Sequence, residues 1–422
     1  MRSGIDQNPD EDIQAGSQES KMADEPNNQL QNKLKSRKLS RRDFLRLTGI
    51  SISGVFLGSC TSKTTPSSPT APILSPSPAV IPTPTTVLSE PTTIIGVTPS
   101  KPLVAIARAK NYERNLILQQ VQTLVERLGG LGDVVSQGDK VAIKVNLTSG
   151  HEFQPPAGLT ATETYATHPE VVRALGQLLL ESGASKLYIV EAVYDQQSYP
   201  DWGYTAIAKE LDATLIDLNV PDPYPDFVTT PVGEKHLIYD SFYFNPILME
   251  VNKFVSVGKM KCHYNAGVTL AMKNLIGLLP VSKYRQSPDH WWRSMLHGSG
   301  NEAATRIPRI ILDLNRARPI HFALIDGVMC AEGGEVPRGT FKPVSPGVLV
   351  AGKNPVATDA VATAVMSFDP TANPPTPPFI RTDNYLNLAS EQGLGTNRLG
   401  DIEVAGDPID DVKFKFNPSW EM

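Results

Sequence analysis

The sequence predicts an α/β fold, a mostly parallel sheet flanked by helices, preceded by a disordered N-terminal signal and a Pro/Ser/Thr-rich stalk. From residue 102 onward, short runs of Val, Ile and Leu alternate with segments of helical periodicity. This alternation is typical of parallel strands joined by helices. The composition changes near residue 101, where Pro, Ser and Thr give way to aliphatic residues. We therefore divide the chain into residues 1–60, 61–101 and a single domain over 102–422.

Residues 1–60 carry features of an export signal. The first 35 residues are polar, which predicts disorder. The stretch SRRDFLRLTGISISGVFLGSC follows, with Arg41 and Arg42 ahead of Phe44 and a terminal Cys60. It resembles a twin-arginine export signal joined to a lipoprotein cleavage box. The resemblance implies recognition by the twin-arginine export machinery, a lipid anchor on Cys60 and a location in the cell envelope.

Residues 61–101 form the predicted stalk. Pro, Ser and Thr dominate this segment, so it cannot bury a core and favours extended geometry. At about 3.1 Å per residue it would span on the order of 100 Å. No stretch of the chain approaches the roughly 20 apolar residues of a membrane-spanning helix. The net charge of −5 argues against a nucleic-acid partner.

The elements of the domain follow from local patterns. Helices are bounded by glycines such as Gly129 and Gly183 and by the N-cap candidates Thr167, Asn265 and Asn354. The predicted strands are 103–108, 140–147, 186–192, 213–218, 253–260, 320–327, 347–352 and 401–404. The predicted helices are 113–128, 167–184, 203–211, 266–278, part of 305–318, and 354–368. Residues 234–251 read as extended structure, and the Pro-rich segment 369–379 reads as a surface loop before a last helix.

Polar residues follow several of these strands. Asn146, Glu191, His263 and Asp326 each stand at or just after a strand's carboxyl end. In open parallel sheets, ligands bind beyond those ends. The sequence therefore predicts one cleft rimmed by the loops at that edge.

The segment GKMKCHYNAGVTLAMKNLIGLLP, residues 258–280, reads as a buried helix with a basic entrance. Lys259, Lys261 and His263 precede the predicted N-terminus at Asn265, where free backbone N–H groups favour an anion. We expect a carboxylate or phosphate there. The alternative is a solvated basic loop in front of a core helix.

Lys273 and Asn274 lie inside that predicted helix. A buried lysine needs a partner, or its pKa falls. Asp359 lies in a similarly apolar segment, PVATDAVATAV. We therefore predict a Lys273–Asp359 ion pair. The alternative is that Asp359 interacts only with the dipole of its own helix.

A divalent metal is the cofactor that the sequence leaves open. His263, Asp326 and Glu332 are candidate ligands, although no compact metal motif is present and structural roles are an alternative for each. The three cysteines, Cys60, Cys262 and Cys330, are too few for a four-thiolate iron–sulfur cluster, so none is expected. A disulfide between the last two stays open.

Several segments, in order, resemble the family called domain of unknown function 362. The matching motifs are Lys144-Val-Asn146-Leu147, His168-Pro-Glu-Val-Val-Arg173, Lys261-Cys-His263, Lys273-Asn274, Ile325-Asp326-Gly327, Glu332-Gly333 and Asn354-Pro-Val-Ala-Thr-Asp359. The resemblance covers roughly residues 104–403. It implies a domain and no particular reaction. Some relatives carry ferredoxin-like cysteine modules, and this chain lacks those cysteines.

These patterns lead to an expected function. We expect an enzyme acting on a small anionic molecule, and the alternative is a non-catalytic lipoprotein that binds a carboxylate or phosphate compound. The enzyme is favoured because several ionisable groups lie within apolar segments, where shifted pKa values are typical of catalytic sites. The expected catalytic residues are Lys273, Asp326, Glu332 and Asp359. The expected substrate-binding residues are Lys144, Asn146, Lys261, His263 and Asn274.

Overall fold

The computed structural model describes residues 100–150 and 153–418. The predicted export signal, with Cys60, and nearly all of the predicted stalk lie outside these residues. Within the described part, no helix is long and apolar enough to cross a membrane.

The domain is built on one large sheet with a small hairpin beside it. The strands of the large sheet run in the order β12-β1-β11-β9-β7-β2-β3-β4, with β10 added to β9 and β8 added to β7, while β5 and β6 pair separately. The strands are β1 (Leu103–Arg108), β2 (Lys140–Lys144), β3 (Lys186–Glu191), β4 (Thr214–Asp217), β5 (Val228–Pro231), β6 (Ser241–Phe244), β7 (Lys253–His263), β8 (Gly267–Thr269), β9 (Phe322–Glu332), β10 (Lys342–Val344), β11 (Val348–Gly352) and β12 (Glu403–Gly406).

Five neighbouring strands of this sheet are parallel. The pairs β9–β7, β7–β2, β2–β3 and β3–β4 all run in the same direction. Strand β11 is antiparallel to both of its neighbours, and β12 is parallel to β1. The predicted α/β fold with a mostly parallel sheet is thus confirmed. The carboxyl ends of β2, β3, β7 and β9 consequently meet at one edge.

Helices cover both faces of the sheet. Alternate residues of β1 enter different cores: Val104 and Ile106 belong to one, and Ala105 and Ala107 to the other. Burial of both faces explains why the strands read as continuous apolar runs. The α-helices are α1 (Arg114–Arg127), α2 (Pro169–Glu181), α3 (Ser198–Asp201), α4 (Tyr204–Glu210), α5 (Ile247–Glu250), α6 (Val281–Tyr284), α7 (Ala303–Ala317), α8 (Pro355–Val365), α9 (Tyr385–Glu391) and α10 (Ile409–Val412), and the 3₁₀ helices are Lys273–Leu278, Ser294–His297 and Leu399–Asp401.

The predicted N-caps have different outcomes. Asn354 caps α8, because its side-chain oxygen accepts a hydrogen bond from the Ala357 N–H at 2.9 Å. The prediction of Thr167 as the N-cap of α2 is wrong. His168 caps that helix through Nδ1 and the Glu170 N–H at 3.2 Å, while the Thr167 hydroxyl donates to the Val257 carbonyl at 3.0 Å. The Thr167 side chain is thus used to tie α2's entrance to β7.

The predicted helix over 266–278 is wrong. Strand β7 continues to His263, turns back as β8, and only Lys273–Leu278 is helical, as a 3₁₀ helix. Gly267, with φ at +74°, allows the tight return. Gly258 lets the backbone near Leu270 approach β7 closely, since a Cβ there would lie 2.8 Å from that backbone. Strand pairing has therefore overridden the local helical periodicity.

Residues 234–251 are only partly extended. They contain β6 and the short helix α5, joined by turns. Asn245 ends the strand and caps the turn, since its side-chain oxygen accepts a hydrogen bond from the Ile247 N–H at 2.9 Å.

The β7–β8 turn should tolerate no side chain at Gly267. A Cβ there would lie 2.5 Å from the Phe379 ring, whereas one at Gly129, which also has a positive φ, would meet nothing within 4 Å. We expect Gly129→Ala to lower the free energy of unfolding by about 1 kcal/mol. Gly267→Ala should cost about 1–3 kcal/mol more because the ring must move. Urea denaturation measures both, and equal losses would contradict the packing described for this turn.

Candidate functional site

A cavity of about 420 Å³ lies at the carboxyl ends of β2, β3 and β7. Six of the predicted site residues line it, namely Lys144, Asn146, Lys261, His263, Lys273 and Asn274. Among its lining residues are five basic side chains (Lys144, Lys261, Lys273, Arg293 and Arg338) and two acidic ones (Glu191 and Glu335). The cavity wall therefore carries a surplus of positive charge.

The innermost wall is a buried ion pair. Lys144, the last residue of β2, places Nζ 3.0 Å from Oε2 of Glu191, the last residue of β3. The ammonium also donates to its neighbour's carbonyl, Val145 O, at 2.6 Å. Burial lowers the pKa of Lys144 to about 8, against the opposing effect of Glu191. Gly277 has to lack a side chain here, since a Cβ would lie 2.0 Å from a Glu191 oxygen.

Two asparagines extend this wall. Asn274 Oδ1 accepts hydrogen bonds from Lys144 Nζ at 3.3 Å and from Asn146 Nδ2 at 3.2 Å. Asn274 Nδ2 donates to the Ser256 hydroxyl at 3.1 Å and to the Lys144 carbonyl at 3.2 Å. The amide of Asn274 thus joins β2, β7 and the 3₁₀ helix, which explains a polar residue in an apolar segment.

Lys261 is buried on β7 and lacks a carboxylate partner within 4.0 Å among the described residues. Its Nζ donates to the Tyr165 and Glu335 carbonyls at 2.8 and 3.1 Å and to Asn146 Oδ1 at 3.4 Å. Burial, together with the nearby charge of Lys273, holds the pKa of Lys261 well below its usual range. A negative charge in the cavity would oppose both effects.

Lys273 opens the 3₁₀ helix and lines the same cavity. Within residues 100–150 and 153–418, its ammonium makes neither a hydrogen bond nor an ion pair of 4.0 Å or less. Burial, opposed by Glu335 and Glu191 and reinforced by Lys144 and Arg293, lowers the pKa of Lys273 to about 8. It is therefore an amine without a fixed partner in a positively charged cavity.

His263 ends β7 with both ring nitrogens engaged. Nδ1 accepts from the Asn265 N–H at 3.1 Å, so the ring proton lies on Nε2, which is 3.3 Å from Glu335 Oε2. Burial and the charges of Lys273 and Lys261 hold the pKa of His263 well below its usual range. The imidazole is thus neutral and lies beside Glu335, whose Oε2 accepts a hydrogen bond from the Tyr264 N–H at 3.3 Å.

An arginine and several aromatic rings form the outer wall. Arg293 is buried and donates to the Leu279 and Ala192 carbonyls at 2.5 and 3.0 Å and to the Tyr194 hydroxyl at 2.7 Å. Trp291 packs edge-on against Tyr194 with ring centroids 5.2 Å apart, and it lies 6.3 Å from Phe153. Trp291 and Trp292 both line the cavity.

Two polar atoms of the lining have no partner among the described residues. The Thr269 hydroxyl and Nδ1 of His297 are buried and form no hydrogen bond. Burial lowers the pKa of His297 to about 4, so its ring is neutral near pH 7. Buried polar groups are normally satisfied. The two atoms are therefore available to a bound molecule.

Sequence reasoning missed Arg293, Glu335 and His297. Each lies in a loop or short 3₁₀ turn after the strands, where no periodicity marks a residue as facing a cavity. The signal that could have found Arg293 is its position beside two adjacent tryptophans.

Residues 141–364 match the family model described as domain of unknown function (DUF362). This chain belongs to that family. A thylakoid-associated protein of Synechocystis sp. is 26% identical to this DUF362 chain over 301 residues, which cover 70% of this chain and 80% of that protein.

A crystal structure of a Thermotoga maritima protein is 12% identical, with a TM-score of 0.28, and the match covers 59% of this chain and 57% of that one. The DUF362 chain thus spans less than two thirds of that protein.

Asp326 lies outside the cavity lining in this DUF362 protein. Lys259 Nζ is 2.9 Å from its Oδ2 in a fully buried ion pair. The Tyr112 hydroxyl donates to Oδ1 at 2.8 Å, and the His168 N–H donates to Oδ2 at 3.0 Å. The carboxylate is therefore occupied with joining β7, β9 and the start of α2.

Glu332 and Asp359 are also outside the lining. Glu332 accepts from the backbone N–H and side-chain amide of Asn417 at 2.8 and 2.7 Å. Asp359 accepts from the N–H groups of Ala271 and Met272 at 2.9 and 3.0 Å.

The Lys273–Asp359 ion pair is a wrong prediction, since the two described residues form no contact of 4.0 Å or less between their charged atoms. The Asp359 carboxylate instead holds the backbone just before Lys273, and its third partner is the Tyr385 hydroxyl at 3.0 Å. Burial raises the pKa of Asp359 to about 7, against these hydrogen bonds.

The candidate metal ligands have separate partners. His263 contacts Glu335, Asp326 contacts Lys259, and Glu332 contacts Asn417. The described residues contain no group of three or more His, Cys, Asp or Glu that could hold a metal ion. A divalent metal stays a prediction from the sequence. Cys262 and Cys330 are both buried free thiols.

Breaking the inner ion pair should destabilise the protein. Glu191→Gln leaves the Lys144 ammonium buried without its carboxylate, and we expect a loss of about 3–5 kcal/mol in the free energy of unfolding. The matched control is Asp212→Asn, which breaks the Lys186–Asp212 pair, where the Asp212 side chain is fully exposed. That change should cost less than about 1 kcal/mol. Denaturant titration at pH 7 compares them, and similar small losses would show that the inner pair is not needed for folding.

Proposed function

We propose that this DUF362 protein is an enzyme that binds a small anionic molecule in the cavity, with Lys273 as the group that contacts it. The observation that supports the proposal is the Lys273 ammonium, which has no partner among the described residues and lies in a wall with five basic and two acidic side chains. One of the two acids, Glu191, is already neutralised by Lys144. A bound carboxylate or phosphate would therefore complete the charge balance of the cavity.

The outer wall adds a requirement on the ligand. Trp291, Tyr194 and Phe153 present ring surfaces at the same cavity that holds the lysines. Aromatic surface favours an apolar part of a ligand, while the basic wall favours its charge. The ligand class is thus a small anion with an apolar or planar portion.

Proton uptake should accompany binding. The lowered pKa values of Lys144 and Lys273, both about 8, result mainly from burial, and the charge of Arg293 acts in the same direction on both lysines. A bound anion favours the charged form of each lysine and raises these pKa values. By linkage, lysine protonation favours the anion to the same degree. Affinity should accordingly fall as the pH rises through about 8.

We test this with 3-phenyllactate, a carboxylate with a ring, by calorimetric titration at pH 8 in two buffers of different ionisation enthalpy. The wild-type chain should bind it with net proton uptake. Lys273→Met should weaken binding at least tenfold, about 1.4 kcal/mol, and reduce the uptake. Lys209→Met, on the exposed end of α4, is the matched control and should change neither. Unchanged binding by Lys273→Met, or proton release, would contradict the proposal.

We further propose that the domain is exported and held at a membrane by a lipid on Cys60. The twin-arginine pattern and the cysteine at its end support this. The name of the Synechocystis relative, a thylakoid-associated protein, supports membrane association.

Replacing Cys60 by Ala should release the chain from the membrane fraction into the soluble fraction of cells. Fractionation with detection of the chain measures this. Replacing Cys262 by Ala is the control, because that thiol is buried in the domain. An equal distribution of the Cys60 variant and the wild type would refute the lipid anchor.

A further inference from the structure

The cavity contains a primary amine, that of Lys273, whose position is fixed but whose nitrogen forms no hydrogen bond or ion pair with the described residues. The backbone just before Lys273 is held by Asp359, through the Ala271 and Met272 N–H groups. The residue just after it, Asn274, is held by hydrogen bonds to Ser256 and Lys144. The main chain on both sides of Lys273 is thus anchored, which favours a defined position for its amine.

Burial is the main reason that the neutral amine of Lys273 becomes more accessible. Burial, helped by the charges of Lys144 and Arg293 and opposed by Glu335 and Glu191, lowers the pKa of Lys273 to about 8. Only the neutral form has a lone pair, and neighbouring cations are a known way to activate a lysine as a nucleophile. The same cations would attract the carboxylate of a substrate, so binding and activation use one set of residues.

The other reactive groups of the lining are already engaged. Nδ1 of His263 accepts from the Asn265 N–H, Glu335 accepts from the Tyr264 N–H and lies 3.3 Å from His263 Nε2, and Glu191 is paired with Lys144. Lys261 donates to three acceptors. Among the lining residues that the structure describes, Lys273 is the primary amine that remains unengaged.

Two further polar atoms point to a ligand at this place. Thr269 is 1% exposed, and its hydroxyl has no partner among residues 100–150 and 153–418. Within the same residues, Nδ1 of His297 is also buried without a partner. Both residues line the cavity with Lys273. A hydroxyl and a neutral imidazole are groups that transfer protons to and from an oxygen or nitrogen at a reacting carbon.

We propose that Lys273 forms an imine with the carbonyl carbon of a small 2-oxo acid bound in this cavity. The proposal rests on the anion-binding function above and names its substrate class. The lone pair of the amine attacks the carbonyl carbon, the C–N bond forms, and the carbonyl oxygen becomes a hydroxyl after taking up a proton. That hydroxyl leaves as water when it receives a second proton, and the nitrogen loses its two protons in exchange. Amine and ketone thus give imine and one water, with no oxidant or reductant.

His297 and Thr269 are the groups placed to move these protons. A neutral His297 ring accepts a proton from the nitrogen and returns it to the leaving hydroxyl, and the Thr269 hydroxyl hydrogen-bonds the oxygen. The carboxylate is attracted by the positive charge of the basic wall, where Arg293 has more N–H groups than the three that its recorded hydrogen bonds use. The aromatic side chains at the outer wall accommodate the substituent on the ketone.

The test is reductive trapping on the full chain. Phenylpyruvate is added with sodium borohydride, which delivers hydride to an imine carbon and leaves a stable secondary amine. We expect a mass increase of one adduct per chain, mapped by peptide analysis to Lys273. With phenylpyruvate at a concentration that saturates the site at each pH, the yield should rise between pH 7 and pH 9, because the reactive form is the neutral amine. Lys273→Arg should give no adduct, and Lys209→Met should give the wild-type yield.

A parallel titration with 3-phenyllactate, which has no ketone, separates this inference from the proposed function. If the hydroxy acid binds in a Lys273-dependent way but phenylpyruvate is not trapped, the imine is refuted and the anion site stands. If neither occurs, both fail. An adduct spread over exposed lysines, with equal yield on Lys273→Arg, would also overturn the imine.

Discussion

The crowding of buried lysine side chains at one edge of the sheet is the constraint on which this site depends. Parallel pairing of β2, β3 and β7 brings Lys144, Glu191 and Lys261 to that edge, and the chain's return after β8 adds Lys273. Of the three lysines Lys144, Lys261 and Lys273, only Lys144 has a carboxylate within 4.0 Å among the described residues. Burying an unpaired charge lowers the free energy of unfolding. The fold tolerates it here by lowering the lysine pKa values and by leaving a cavity that an anion would fill.

The motifs shared with the DUF362 family divide into two physical roles. Lys144, Asn146, Lys261, His263, Lys273 and Asn274 face the cavity. Asp326 and Asp359 support the strands and turns that carry those residues, one through Lys259 and the other through backbone N–H groups. The motif residues thus include both the side chains that face the cavity and the buried carboxylates that hold the strands and turns carrying those side chains.

Much of the fold could be predicted because its signals are local. Runs of aliphatic residues, the cap at Asn354 and the glycine stops identify most strands and helices, and the rule for carboxyl ends gives the edge that holds the cavity. The prediction of a helix after His263 was wrong because the geometry of this segment is set by contacts with residues distant in sequence. Gly258 and Asp359 fix the backbone of residues 267–272. The periodicity of the local sequence contains no information about either contact.

The site was harder to predict than the fold for the same reason. Lysine and asparagine within an apolar segment correctly marked Lys273 and Asn274 as unusual. Their partners could not be read from spacing, so Asp359 was assigned to the Lys273 side chain when it holds the preceding backbone. Arg293, Glu335 and His297 come from loops whose course depends on the whole domain. Acidic residues after strands, such as Asp326, are equally consistent with a site or with a buried ion pair until distances are known.

The most direct test of the account is the pKa of Lys273 itself. Lysine amines are labelled by reductive ¹³C-methylation, the Lys273 signal is assigned by its loss in Lys273→Arg, and its chemical shift is followed by NMR against pH. We predict a midpoint near pH 8, which moves upward when 3-phenyllactate is added. A midpoint near 10.4, the ordinary lysine value, with no change on adding the anion, would contradict the account.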